Sequence, residues 1–145
     1  MNWKQEAIEK LEQYGAKKQS LQIIPGEIAR LEAAASRLRG IQIDSVSVKT
    51  SGSRHEDTLL SNIMQREALD WSLDQAKQWV CQVDAGLSVL NAEERQILDR
   101  FYINGEKGAA DDLADMLAMD VKTVYRRKDA ALRRFTIALC GCVES

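Results

Sequence analysis

Residues 90–135 read LNAEERQILDRFYINGEKGAADDLADMLAMDVKTVYRRKDAALRRF, and this stretch decides the fold. Its centre is a short helix from Asp112 to Leu117, a turn through Ala118, Met119 and Asp120, and a basic helix from Val121 to about Phe135. In the short helix Leu113, Ala114 and Leu117 share a face, and the small Ala114 leaves room for a neighbouring helix to come close. Asp120 is placed as an N-cap, its carboxylate positioned to accept from the orphan amides of the following first turn. Val124, Ala131, Leu132 and Phe135 recur at helical spacing as a buried stripe. Lys122, Thr123, Arg126, Arg127, Lys128, Arg133 and Arg134 fall largely outside that stripe. The pattern predicts a helix-turn-helix whose second helix enters the major groove of duplex DNA with its N-terminal residues nearest the bases.

Charge supports the same expectation. The 145-residue chain has a formal net charge of -2, so no global attraction draws it to nucleic acid. Between Val121 and Phe135, however, there are six Lys/Arg against one Asp. The helix before it carries Asp111, Asp112 and Asp115. One positive helix on an acidic protein orients the molecule, because that face meets phosphates and the remainder is repelled.

Working outward, the composition is that of an all-α protein: one proline, few aromatics, and an abundance of strong helix formers. A first helix is expected from about Asn2 to Tyr14, with Trp3, Ala7, Ile8, Leu11 and Tyr14 on one face and Gly15 as its stop. Lys17 to Ser20 reads as a connection. A second helix follows from Leu21, with Pro25 near its first turn, where a missing amide costs little. Its seam is Leu21, Ile24, Ile28, Leu31, Ala35 and Leu38, coiled-coil-like in spacing. Ile41 to Ser53 breaks the pattern and is expected to be extended or mobile, with Lys49 and Arg54 able to touch phosphate. Ser53 to Glu56 has the capping-box form ahead of a long helix from Glu56 to about Leu87. That helix carries Leu69, Leu73, Ala76, Val80, Val83, Leu87 and Leu90 in four-three spacing, a shifted stripe of Leu60, Ile63 and Met64, and Trp71 and Trp79 on a flank. Asn91, with Glu94 three residues on, opens a further helix that buries Ile97, Leu98, Phe101 and Tyr102 and stops at Asn104-Gly105.

The expected organisation is thus a coiled-coil-like hairpin of long helices over residues 1–89, with a loop at 40–55, and a helix-turn-helix over 90–145. The long seam suits either packing within one chain or pairing with a second copy into a homodimer carrying two reading heads. Both options stay open.

No catalytic constellation is evident. His55 is the sole histidine, no serine or cysteine has a recognisable base, and Asp111-Asp112 suits a helix first turn better than an acid–base pair. Cys81, Cys140 and Cys142 have neither the count nor the spacing of a disulfide scaffold or a zinc site. The sequence therefore points to no metal, no cofactor and no enzymatic activity. No apolar run reaches the ~20 residues that span a bilayer and no signal-peptide pattern opens the chain, so the cytoplasm is the expected compartment.

With these residues laid out, the C-terminal segment resembles region 4 of the sigma-70 family of bacterial transcription factors. The resemblance rests on Leu90, Glu94, Arg95, Ile97 and Leu98, on Leu113-Ala114 and Leu117, on Thr123-Val124-Tyr125-Arg126, and on Ala131-Leu132. The wider layout is similar to the ArpU and RinA type of small phage and prophage regulators: a helix with Ile24-Pro25-Gly26-Glu27-Ile28-Ala29-Arg30-Leu31-Glu32, a Ser/Gly loop, a long helix and a sigma-like head. The resemblance implies a DNA-binding regulator of phage genes in a bacterial cell, with contacts to duplex DNA and to RNA polymerase. It implies base and phosphate contacts from Val121, Lys122 and Arg126, with Thr123 alongside. In this reading Tyr125 helps Thr123 hold phosphate, Arg127 belongs to the interface, and Arg133 or Arg134 contacts the backbone or faces solvent. Val121 has no side-chain donor, so its contact would be apolar, as with a thymine methyl. Two positions depart from the pattern. Ala118 stands where many such turns have glycine, which predicts a turn that avoids positive φ. Arg127 stands at a position that is usually apolar, which predicts a packed stem with an outward guanidinium. The other sigma regions have no counterpart, so a complete sigma factor is not expected. A rival reading of the same head is a docking surface for RNA polymerase or another regulator.

Overall fold

The computed structural model describes residues 2–44 and 51–142, with side chains at 2–40 and 54–142. The chain is all-α: α1 (Trp3–Asp44), α2 (Ser51–Ser88), α3 (Ala92–Leu98) continued by a π-helical turn (Asp99–Ile103), α4 (Ala109–Leu117) and α5 (Val121–Cys140). It divides into two compact units, one of residues 1–18 with 78–145 and one of residues 19–77.

The expected break at Gly15 does not occur, and Lys17 to Ser20 is helical rather than a connection. Pro25 stands well inside α1 instead of at the first turn of a separate helix. A helix-interior glycine costs about 1 kcal/mol and a proline about 3 kcal/mol. Both are small beside the burial of the α1 stripe, which has Ala7, Leu11 and Tyr14 before the proline and Leu31 and Ala35 after it. The expected loop is also shorter than the Ser/Gly composition suggests. Ile41 to Asp44 belongs to α1 and Ser51 to Ser53 belongs to α2, so Ser53 is not an N-cap. Lys49 and the rest of residues 45–50 lie outside the described residues.

In the unit of residues 19–77, α1 and α2 run in opposite directions: His55 Nε2 lies 3.2 Å from the Leu38 carbonyl, and Asn62 donates to the Leu31 carbonyl at 2.8 Å. Asn62 is buried and its oxygen accepts from Arg66 at 2.9 Å, so its amide is satisfied at both ends. A buried polar group needs such partners, and a slipped pairing would lose them. Leu60 and Met64, expected in a stripe with Ile63, are exposed. They fall on the side of α2 opposite Asn62, Leu69 and Ala76.

The other unit holds the core. Its fully buried large side chains are Leu11, Val83, Ile97, Leu98, Leu113, Val124, Leu132 and Phe135. Here Tyr14 donates to Asp84, and the Lys17 ammonium sits 4.7 Å from the centre of the Trp79 ring. Burial, first, and the Asp84 carboxylate push the Tyr14 phenol above its ordinary pKa. At Gly86, α2 passes close to side chains of α5. A Cβ there would lie 2.9 Å from Leu139 Cδ2 and 3.0 Å from Phe135 Cε2. Among the described residues no helix is long and apolar enough to cross a membrane.

Candidate nucleic-acid interface

The candidate interface is built on α3, α4 and α5, whose shared core is Ile97, Leu113 and Val124, flanked by Phe101, Ala114, Leu117 and Met119. Local chemistry fixes each helix start. Asn91 caps α3 by accepting from the Glu94 amide at 2.8 Å, and Glu94 returns the bond by accepting from the Asn91 amide at 3.1 Å. This is a complete capping box. Asp120 caps α5 by accepting from the Thr123 amide at 2.8 Å. Hydrogen bonds from Thr123, first, and the charge of Arg126 hold the Asp120 carboxyl below its ordinary value of 3.8.

The connection between α4 and α5 is three residues long, and its first residue overturns an expectation. Ala118 adopts the left-handed conformation, φ 53° and ψ 47°, instead of avoiding it. Met119 N–H then reaches back to the Ala114 carbonyl at 3.0 Å, as in a Schellman closure. That bond satisfies a carbonyl at the end of α4, and Met119 packs on the shared core, so the turn keeps a strain of about 1 kcal/mol that glycine would avoid.

α5 is 20 residues long, about 30 Å. Val124, Ala131, Leu132, Phe135 and Thr136 form its buried side. At 3.6 residues per turn, Lys122, Arg126 and Arg133 fall on the opposite side. All three are exposed, and among the described residues none has a carboxylate within ion-pair distance. Val121 is exposed at the helix start, and Thr123 is half-buried beside its cap.

The remaining basic residues of α5 are engaged. Arg127 pairs with Glu93 at 2.6 Å, so its guanidinium is outward, as expected, but tethered to α3. Arg134 bonds Glu94 at 2.6 Å and the Val89 carbonyl at 3.2 Å. Lys128 lies over three rings, 4.9 Å from the centre of Tyr125, 5.1 Å from Phe101 and 5.9 Å from Tyr102. Tyr125 is exposed, and its ring packs tilted against Phe101 at 5.8 Å between centroids. Burial, first, and the Asp129 and Glu12 carboxylates push the Tyr102 phenol above its ordinary range. Asp129 pairs with Lys4 of α1 at 3.5 Å, which takes up its negative charge at the edge of the basic face.

The structure therefore separates the cations of α5 into two sets. Among the described residues Lys122, Arg126 and Arg133 face outward with no ion pair, while Arg127, Lys128 and Arg134 are held by α3, by the π-helical turn and by Tyr125. The tethers that Glu93 and Glu94 supply to Arg127 and Arg134, and the placement of Lys128 over the rings, are not evident in the sequence reading, because the partners lie up to forty positions away in sequence. Among the described residues no group of His, Cys, Asp and Glu is arranged to hold a metal ion. No family model, curated protein or solved structure matches the chain.

Proposed function

We propose that α4, the 118–120 turn and α5 form a helix-turn-helix that reads duplex DNA, and that the chain is a sequence-specific transcriptional regulator of the sigma-70 region 4-like, phage or prophage type. The observation that carries this reading is the outward face of α5, where among the described residues Lys122, Arg126 and Arg133 form no ion pair on a helix whose other cations are tied. Arg126 and Lys122 read base edges, Val121 offers an apolar contact to a thymine methyl, and Thr123, Tyr125 and Arg133 hold phosphates. Arg127 joins them by exchanging Glu93 for a phosphate; a surface ion pair contributes about 0–1 kcal/mol, so the exchange costs little. The acidic α4, with Asp111, Asp112 and Asp115 exposed, directs phosphates to α5 alone.

One observation favours a second reading, in which the head docks on RNA polymerase or another regulator. Met116 is 52% exposed on α4 beside those aspartates, a surface suited to protein and not to phosphate. Selection from a pool of random duplexes at physiological salt separates the two. Enrichment of one motif is the expected result. Steeply salt-dependent binding with no enrichment would leave a charge-driven association and move the docking reading ahead.

A further inference from the structure

The side of α2 that faces away from Asn62 and Ala76 carries a second ordered seam. Asp57, Leu60, Met64, Glu67, Trp71 and Asp74 follow one another in steps of three and four, so they line one face of the helix. Leu60, Met64 and Trp71 are 57%, 60% and 65% exposed. Isolated exposed apolar residues are ordinary, but three aligned on one face form a patch of the kind that marks an interaction surface. The three carboxylates between and beside them are exposed and, among the described residues, in no ion pair. Of the nearby cations, Arg66 is bonded to Asn62, while Arg54 and Lys77 stand beyond the two ends of the line, three residues from Asp57 and Asp74, and among the described residues neither forms an ion pair.

The surface has the form that a helix fits. An open depression of about 410 Å³ is lined by Asp57, Leu60, Ser61, Met64, Gln65 and Ala68. Asp57, Leu60, Ser61 and Met64 stand at i, i+3, i+4 and i+7, the four corners of a hole that takes a knob from a facing helix. A second copy of α2 is a poor occupant. In antiparallel self-pairing with Leu60 opposite the partner's Trp71, Met64 would meet a glutamate and Asp57 an aspartate. In parallel self-pairing each carboxylate would face its own copy. Either way like charges are brought together as they lose water.

We propose that this seam docks an amphipathic helix of another protein, one whose apolar anchors alternate with Lys or Arg at the same three-four spacing. The apolar positions fill the holes around Leu60, Met64 and Trp71, and the cations answer Asp57, Glu67 and Asp74. The proposal is independent of DNA binding, since none of these residues belongs to α5.

The test is fluorescence anisotropy of two labelled helical peptides of about 18 residues, five turns, titrated with the full chain. One has Leu anchors alternating with Lys, the other has the same anchors with Glu. The Lys peptide is expected to bind about tenfold tighter or more, since the Glu peptide sets carboxylate against carboxylate. Trp71→Glu should abolish that binding, although it adds a negative charge that would strengthen a merely electrostatic association. The pair Glu67→Lys with Asp74→Lys should invert the preference between the peptides, which guards against a Trp71 variant that fails to fold. Equal affinity for both peptides, or Lys-peptide binding that survives Trp71→Glu, overturns the proposal. Self-association of the chain in sedimentation that Trp71→Glu abolishes overturns it too, by giving the seam to a second copy.

Discussion

The two compact units stabilise themselves by different means. The unit of residues 1–18 and 78–145 surrounds its core with helices, and all of the largest fully buried side chains belong to it. The unit of residues 19–77 is formed from α1 and α2, and among its described residues Leu31, Ala35, Ala76 and the polar Asn62 are buried. Two helices cannot enclose a side chain on every side, so packing alone defines their pairing weakly. The Asn62 bonds to Leu31 and Arg66 supply the missing specification. The difference teaches where each kind of substitution should act: volume changes in the first unit, polar partners in the second.

The largest expected effect comes from removing core volume. Leu113→Ala should cost about 3–5 kcal/mol, because a fully enclosed cavity cannot collapse. Leu31→Ala should cost about 2 kcal/mol, since α1 and α2 can close over the gap. Urea denaturation followed by circular dichroism measures both, and equal losses would break the contrast. Overpacking comes next. Gly86→Ala places a methyl against Phe135 and Leu139 and should cost about 1–3 kcal/mol in the same assay. A neutral result would mean that α2 and α5 do not approach as closely as the fold requires.

Smaller effects belong to the turn that sets α5. Ala118→Gly should raise stability by about 0.5–1 kcal/mol, because glycine adopts the left-handed conformation without strain. A loss there would show that the turn is not left-handed in solution. Asp120 gives a pH signature. Its carboxyl is held below its ordinary value of 3.8, so its contribution is present above that value and disappears as pH falls through the lower folded value. The acid limb of a denaturation profile should therefore flatten in Asp120→Asn, whose amide oxygen still caps α5 but does not titrate.

The smallest expected change in stability carries the most functional information. Glu93→Gln frees Arg127 from the pair that it must leave to reach a phosphate, so the denaturation midpoint should barely move while DNA affinity rises by up to about 1 kcal/mol with the salt slope unchanged. An unchanged affinity would remove Arg127 from the interface.

How much of this was legible in the sequence follows from the range of each interaction. The Asn91 and Asp120 caps are satisfied within three residues, and the sequence alone indicates them. The face of α5 was legible as well, since Val124, Ala131, Leu132 and Phe135 recur at one period and are all buried. The continuity of α1 was not. Gly15 and Pro25 are local signals of a break, and stripes on either side of them outweigh a cost that local reasoning takes at face value. Ala118 was misread in the same way, because the turn closure outweighs the residue's own preference. Periodicity grouped Leu60 and Met64 but could not say whether that side of α2 meets a neighbour. The tethers of Arg127 to Glu93 and Arg134 to Glu94 span 34 and 40 positions and leave no local trace, so the division of α5 into free and engaged cations came from the structure.

The free Arg126 and the tethered Arg134 lie on opposite sides of that division. The affinity of the full chain, of Arg126→Ala and of Arg134→Ala is measured on the selected duplex and on a scrambled one. Arg126→Ala is expected to lose about 1–3 kcal/mol on the selected duplex and far less on the scrambled one. Arg134→Ala is expected to leave the discrimination between the two intact. Equal loss on both duplexes for Arg126→Ala, or loss of discrimination in Arg134→Ala, would show that the outward cations of α5 do not read the bases.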